Sequence, residues 1–300
     1  KDLKALLAYS TISQLGLIMS LLGLGSAAVY FGYGDESKVY AIAIMAAVFH
    51  LVNHSTFKGS LFMVVGIIDH ETGTRNLQRL GGLMSLMPIS FTITIIGSFS
   101  MAGLPPFNGF LSKEMFFTGV VNASGMDLFG METLGMIFPI VAWAASVLTF
   151  VYCMILVFQT FTGAHKPELL FKVAHEPPIG MLIPPALLAI FVVVIFFFPN
   201  VLAKHILDPA FIAILPDYAA QGGLGKEISA WHGFNTELLM TIGVVLFGLI
   251  LYKLLPKWIK VFSWYPQSLT FNNIYNGAIQ LMEFISDTIT KKYMTGYTRD

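Results

Sequence analysis

The sequence predicts an all-α fold: a polytopic membrane helix bundle that contains one discontinuous, Pro/Gly-broken transmembrane helix. Three observations predict it. The 300-residue chain is 56% hydrophobic and only 11% charged, with a mean hydropathy of +0.74, the composition of an integral membrane protein. Apolar runs of about 20 residues, the length a span needs, recur along the chain. One of those runs carries Gly103, Pro105, Pro106 and Gly109 at its middle.

Six candidate spans follow in order: Ala5 to Phe31, Val39 to Ile68, Leu83 to Val121, Leu134 to Thr162, Ile179 to Phe198 and Leu238 to Leu255. The third, about 39 residues, would reach roughly 58 Å as a straight helix, nearly twice the thickness of the hydrocarbon core. It is therefore not one simple helix. Pro105 and Pro106 remove two backbone donors, and Gly103 and Gly109 loosen the chain on either side. Carbonyls freed in hydrocarbon cost several kcal/mol each, on the order of a lost hydrogen bond or more, so such breaks sit where they line an internal polar space. Asn200 to Asn235, with Pro209, Pro216, Gly222, Gly223 and several charges, is too broken to cross and reads as an amphipathic excursion on the outer face. After Trp264, Ala278, Leu281, Met282, Ile285 and Ile289 recur at helical spacing opposite Glu283, Asp287 and Lys291, which predicts an interfacial helix.

Charge placement predicts sidedness. Lys1, Lys4, Arg75, Arg79, Lys166, Lys172, Lys253, Lys257 and Lys260 fall on one face, against Lys38, Lys204 and Lys226 on the other. That asymmetry places the first face in the cytoplasm, so the sequence is expected to begin and end inside. It opens without an initiator Met and closes on charges without a cap, as expected of an excerpt from a longer chain. The net charge is zero, so no attraction for nucleic acid is expected. A single cysteine, Cys153, excludes a disulfide framework, a CxxCH haem site and an iron–sulfur cluster held by this chain alone. No cofactor is expected.

FHLVNHSTFKGSLF, Phe49 to Phe62, raises the functional question. Its His50, His54 and Lys58 recur every four residues, so on a helix each is turned only about 40° from the last and the three span about 12 Å. Lys58 lies roughly 15 Å from the helix end at Asp69, near mid-depth and too deep to snorkel easily. A charged lysine there costs about 2.5–3.5 kcal/mol on insertion scales, so such residues mark wet interiors and ion paths. Imidazoles, with an unperturbed pKa of about 6.5, accept and donate through two nitrogens and can relay protons. Lys113, just after the break and followed by Glu114, is the second intramembrane lysine. His50, His54, Lys58 and Lys113 are the candidate proton relay.

Plainer readings stand beside this one. A lone buried histidine is as often a satisfied structural group, and Lys113 with Glu114 could be an ordinary pair at a helix end. Ser55, Thr56, Ser60 and Ser112 could bind helices together or donate to a water wire. His70, His165 and His175 read as solvated loop residues. A metal at His50 and His54 is disfavoured, since no HExxH glutamate is present and Lys58 would repel the ion. A dehydrated Na⁺ would want several oxygens, yet Glu114 is the only carboxylate deep in the spans, so the pattern suits protons better.

KDLKALLAYSTISQLGLIM, FHLVNHSTFKGSLFMVVGIIDHETGTRNLQRLGGL and SMAGLPPFNGFLSKEMFF resemble three consecutive blocks of the antiporter-like subunits shared by respiratory complex I and the Mrp-type multisubunit cation/proton antiporters. The tail, FSWYPQSLTFNNIYNGAIQ with TKKYMTGYTRD, is more similar to the large A-type Mrp subunits than to complex I. The resemblance implies inverted five-span repeats, each with a broken helix and a proton half-channel. It matches Lys58, His50 and His54 to the central lysine–histidine site of the second half-channel, and Lys113 to the lysine after the break. It implies that residues 1–121 are the C-terminal part of the translocating module, 122–260 three further spans, and 261–300 an interfacial helix leading to another span. The glutamate–lysine pair of the first half-channel and the carboxylates tied to sodium have no counterpart here. The implied activity is H⁺ carriage in exchange for Na⁺, by a non-enzymatic subunit of a hetero-oligomeric complex in the bacterial cell membrane. The rival is the proton-pumping homologue in respiratory NADH:quinone oxidoreductase. An organic-substrate carrier, with a roomy pocket beside Pro105, and a purely structural scaffold are further alternatives.

Overall fold

The computed structural model describes residues 2–30, 38–124, 135–217, 227–229, 231, 233–260, 266 and 270–293, without the side chains of residues 28, 29, 38 and 39. The helices are α1 (Leu3–Tyr30), α2 (Lys38–Thr72), α3 (Pro88–Ala102), α4 (Asn108–Ala123), α5 (Ile137–Phe161), α6 (Ile179–Phe197), α7 (Pro199–Leu202), α8 (Asp208–Ile214), α9 (Thr236–Trp258) and α10 (Phe271–Tyr293). A π-helical turn, Ala203–Leu207, joins α7 to α8. The chain divides into two compact units, Lys1–Tyr252 and Lys253–Asp300. Among the described residues, five helices, α1, α2, α5, α6 and α9, are long and apolar enough to cross a membrane. The predicted ends at Phe31 and Leu134 lie outside the described residues.

α2 is the axis of the first unit. Its 35 residues would extend about 52 Å, and it packs against α1, α3, α4 and α6. Two thirds of its most apolar window is buried, against about a fifth for α6 and α9. Those outer helices expose Ile183, Leu187, Ile190, Phe191, Leu246 and Ile250. Exposed apolar side chains on span-length helices are what lipid tails cover, so they require no partner.

The run predicted as one long span is a short 3₁₀ turn at Leu83–Ser85 followed by α3 and α4. α3 starts where Glu176 accepts from the Ile89 and Ser90 backbone N–H groups at 2.8 and 3.1 Å, a carboxylate on the positive end of the helix. It ends in a Schellman motif. Gly103, at φ +81°, donates to Ser100 O, and Leu104 donates to Phe99 O, each at 2.9 Å. α4 then resumes along the same side of α2. A Cβ on Gly97 would meet Leu61 and the Phe57 carbonyl, Asn108 contacts Asn53, Ser112 contacts His50, and a Cβ on Gly119 would meet Ala43. α3 and α4 thus pass α2 in one direction, with the interruption opposite Asn53 and Thr56.

One end of the bundle is closed by polar contacts. Asp2 caps α1 through Ala5 N at 2.9 Å and sits 3.4 Å from Arg75, while Leu3 N donates to Arg75 O. Lys166 and Lys172 reach the Gln78 and His70 carbonyls. His70 belongs to the last turn of α2 instead of a loop. Its ring nitrogen is 2.8 Å from Glu71, whose other oxygen is 3.3 Å from His175. His165 and His175 are exposed.

The excursion after α6 folds inward. Ala203 and Leu207 pack with Phe49, Phe110 and Leu111, and Phe211 and Leu215 pack with Ala41, Ile44 and Met45. In the second unit, α10 shows the amphipathic division expected of it, with a Lys291–Asp287 ion pair at 2.5 Å on its polar side. Of the residues predicted beyond α9, Trp264 lies outside the described set.

A Cβ at Gly109 would stand 1.9 Å from the Ser100 carbonyl oxygen, a backbone atom that cannot yield, whereas one at Gly66 meets nothing within 4 Å. Gly109→Ala is expected to cost at least the roughly 1–3 kcal/mol of overpacking and to lower the yield and thermal stability of the membrane-extracted protein. Gly66→Ala should leave both unchanged or higher.

Candidate functional site: a buried lysine–histidine core

α2 turns His50, Asn53, His54 and Lys58 into the bundle, at 1%, 0%, 7% and 4% exposure. α4 brings Ser112 and Lys113 to the same interior, at 0% and 3%. All four residues of the predicted relay are buried in the first unit, on two helices that touch along their polar sides.

Each lysine is held by neutral oxygen. Lys58 Nζ donates to the Leu7 carbonyl at 3.1 Å and to the Ser10 hydroxyl, both on α1. Lys113 Nζ donates to the Ala102 carbonyl at 3.1 Å, so its charge rests on the C-terminal, negative end of α3. Neither ammonium has a carboxylate partner among the described residues. Lys113 and Glu114 do not pair with one another. Glu114 Oε1 accepts instead from Asn235 at 3.1 Å, beside a cavity of about 300 Å³ that Glu227 and Glu237 also line.

His50 is anchored at both ring nitrogens. Nδ1 is 2.9 Å from Ser112 Oγ and Nε2 is 2.9 Å from Gln14 Oε1. Gln14 Nε2 in turn donates to the Tyr152 hydroxyl on α5 at 3.0 Å. The set Ser112–His50–Gln14–Tyr152 therefore links α4, α2, α1 and α5. Gln14 also lines a cavity of about 910 Å³ between α1 and α5, with Ser13, Ser146 and Thr149. His54 differs. Its ring sits 6.4 Å from that of His50 and edge-on to Phe57 at 5.5 Å, and its Nε2 has no hydrogen-bond partner in the described protein. Cys153, the residue after Tyr152, is buried within electrostatic range of both lysines.

Between the lysines lies the interruption, held by side chains. Ser100 Oγ donates to Asn108 Oδ1 at 2.7 Å and accepts from Gly109 N at 3.0 Å. Asn108 Nδ2 donates to Thr56 Oγ1 at 3.2 Å, and Asn53 Nδ2 donates to Asn108 O at 3.1 Å. Ser55 bonds only its own helix, at Val52 O, while Ser60 reaches the Pro185 carbonyl on α6. Of the four hydroxyls left open by the sequence, Ser60 joins helices, Thr56 supports the interruption, Ser112 bonds the histidine and Ser55 does none of these. Among the described residues, no group of three or more His, Cys, Asp or Glu is placed to hold a metal ion.

Ser10, Gln14, Asn53, Ser100, Asn108 and Tyr152 complete this core, and none of them is among the site residues expected from the sequence. Ser10 and Gln14 do carry a signal, since they are four apart and share a helix face. Their partners, up to 138 residues away, leave none.

Such a fold and core define a class: a multi-pass membrane helix bundle enclosing two lysines and two histidines in a hydrogen-bonded polar interior. The family described as NADH:quinone oxidoreductase/Mrp antiporter, TM, matches residues 1–138. The chain is 53% identical over 300 residues to the A-type subunit of the Na(+)/H(+) antiporter of Bacillus subtilis (strain 168), and 55% identical over 301 residues to that of Alkalihalophilus pseudofirmus. Each match covers 100% of this chain and 37% of the relative. Among solved structures, the Mrp complex from Dietzia sp. DQ12-45-1b matches at a TM-score of 0.70 and 30% identity, over 100% of this chain and 29% of that one. Over residues 1–138 the chain matches the antiporter-like membrane family shared by NADH:quinone oxidoreductase and the Mrp antiporters, and throughout its length it resembles the A-type component of the latter.

Asn108→Ala would leave the Ser100 hydroxyl without its acceptor and remove the donor to Thr56 Oγ1 in a region without bulk water, while the Asn53 amide keeps the backbone carbonyl at 108. A loss of about 1–3 kcal/mol per unsatisfied group is expected, read as a lowered melting temperature of the detergent-solubilised protein. Ser55→Ala should leave that temperature within a degree or so.

Proposed function

We propose that this chain is the proton-carrying part of a multisubunit Na⁺/H⁺ antiporter and moves H⁺ through Lys58, His54, His50 and Lys113 in exchange for Na⁺. The observation that carries the reading is the pair of buried lysines bonded, among the described residues, only to neutral oxygens. A lysine locked to a carboxylate keeps its charge, whereas one held by carbonyls and hydroxyls can exchange its proton with a neighbour. Two imidazoles lie along α2 between them. The unpartnered His54 Nε2, buried beside Lys58, is a polar atom that calls for water, and one water there would join the lysine to the histidines. On another face of α4, Glu114 lines a cavity with Glu227, Asn235 and Glu237 toward the end of the bundle where α9 begins.

In this reading α3 and α4 form one discontinuous transmembrane helix. Residues 1–121 close the translocating module, 122–260 add three spans, and 261–300 lay an interfacial helix on the lipid surface. The basic residues gathered around Asp2, Gln78 and His70 support a cytoplasmic placement of that end. The protein would act in a bacterial cell membrane with other antiporter components, as a secondary transporter without a cofactor. Identity of 53–55% to the A-type antiporter relatives over the whole chain favours this over the proton-pumping homologue in NADH:quinone oxidoreductase.

The test is Na⁺-driven proton movement in everted vesicles carrying the full complex, with assembly checked for each variant. Lys58→Ala and Lys58→Arg should both lower exchange by about 10²-fold, the low end for a proton-transfer group. Arginine preserves the charge but does not release its proton. Exchange near the wild-type rate in Lys58→Arg would show that the position needs only a charge, and the relay would fail.

A further inference from the structure

His50 has a hydrogen-bond partner at each nitrogen, and a neutral imidazole carries one N–H. Which nitrogen carries it follows from the neighbours. The Tyr152 oxygen accepts from Gln14 Nε2 at 3.0 Å, with the Ser13 and Thr149 side chains beside the same phenol. In this orientation of the amide its nitrogen serves tyrosine, and its oxygen faces His50 Nε2 at 2.9 Å. A carbonyl oxygen can only accept. His50 Nε2 is therefore the protonated nitrogen, and Nδ1 presents its lone pair to Ser112 Oγ, 2.9 Å away on α4 next to Lys113. Ser112 has an alternative acceptor, Gly109 O, at 3.3 Å, so its hydroxyl can turn between the two.

We propose that Gln14, held by Tyr152, is a positioning residue that sets the tautomer of His50 and so aims the proton-accepting nitrogen at Ser112 and Lys113. The inference rests on the relay reading above and adds a direction to it. Reversing the polarity of the chain needs a half-turn of the Gln14 amide, after which the Tyr152 hydroxyl donates to Gln14 Oε1, the amide nitrogen donates to His50 Nε2, and His50 Nδ1–H donates to Ser112. Histidine tautomer and amide orientation change together. Gln14 and His50 are 1% exposed and Ser112 is fully buried, so bulk solvent does not substitute freely for the Gln14–His50 or the His50–Ser112 link. A partner of this kind, bonded to the far nitrogen of a functional histidine, fixes ring orientation in the same way wherever imidazoles work.

The experiment is ¹⁵N NMR of histidine-labelled full complex in bilayers, with the His50 signals assigned by their loss in His50→Gln, beside the exchange assay in vesicles. Wild type should show His50 as the Nε2–H tautomer. Gln14→Leu should populate both tautomers and reduce exchange by about 10-fold or more. Tyr152→Phe, which removes one hydroxyl and keeps the ring, should shift the tautomer ratio the same way with a smaller loss, and it serves where Gln14→Leu fails to assemble. A single unchanged tautomer in Tyr152→Phe and Gln14→Leu overturns the assignment, and a shifted tautomer with wild-type exchange overturns its role in transport. The relay reading falls separately, on full exchange in Lys58→Arg, whatever the tautomer does.

Discussion

Where one buried helix ends and the next begins, carbonyls of the first and N–H groups of the second are left with no helical partner, and an apolar interior offers none. The rest of this structure depends on how that is met between Ala102 and Asn108. The glycine-ended Schellman motif closes the carbonyl side from within the backbone, and Lys113 takes the Ala102 carbonyl that remains. Ser100 and Asn108 serve the N–H side. Because Gly109 lacks a Cβ, the first turn of α4 lies against the Ser100 carbonyl, and this closeness lets one serine bond to both sides of the interruption. A side chain at 109 would separate the two helices and withdraw Ser112 and Lys113 from α2.

The same contacts join structure to chemistry. Asn53 and Thr56, one residue before and two after His54 on α2, are the residues that receive the interruption. The register that satisfies the junction between α3 and α4 is therefore the register that places Ser112 on His50. Neither can shift alone. Lys113 has a double duty here, as the cation on the negative end of α3 and as a member of the lysine–histidine core, so a variant at this position alters folding and electrostatics together. Lys58, bound to a carbonyl and a hydroxyl on α1, has no comparable structural bond to the interruption, which makes it the cleaner probe of proton transfer.

What could be read from the sequence were features that repeat or break a pattern within one segment. The period-four ladder at His50, His54 and Lys58 and the Gly-Pro-Pro-Gly interruption are both of this kind, and both led to the polar interior. The amphipathic tract after Trp264 was legible for the same reason, and its helix α10 bears the expected two faces. Properties that arise between segments were not legible. Gln14 looks like one polar residue in an apolar helix until α5 brings Tyr152 to it across 138 positions. The inward turn of Ala203, Leu207 and Phe211 was hidden because a broken, charged segment reads as surface when its packing partner on α2 is unknown. His70 was misplaced by only a turn, since α2 runs on past the apolar stretch to Thr72.

Satisfaction of hydrogen bonds also separates the members of the core by role. His50 is fixed at both nitrogens and Lys58 at two oxygens, while His54 Nε2 is bonded to no described protein atom. In a relay, groups anchored on both sides hold direction but resist reorientation, and the group with a vacant nitrogen supplies the freedom to turn or to take up water. On the proton-carrying reading, His54 is accordingly the moving step between two fixed ones. Its ring lies against Phe57 edge-on, a contact without a directional hydrogen bond that leaves the imidazole able to swing. On that reading the ladder comprises an oriented acceptor, a mobile link and a proton store, distinguished by the hydrogen bonds that His50 and Lys58 make to α1 and α4 and that His54 Nε2 lacks.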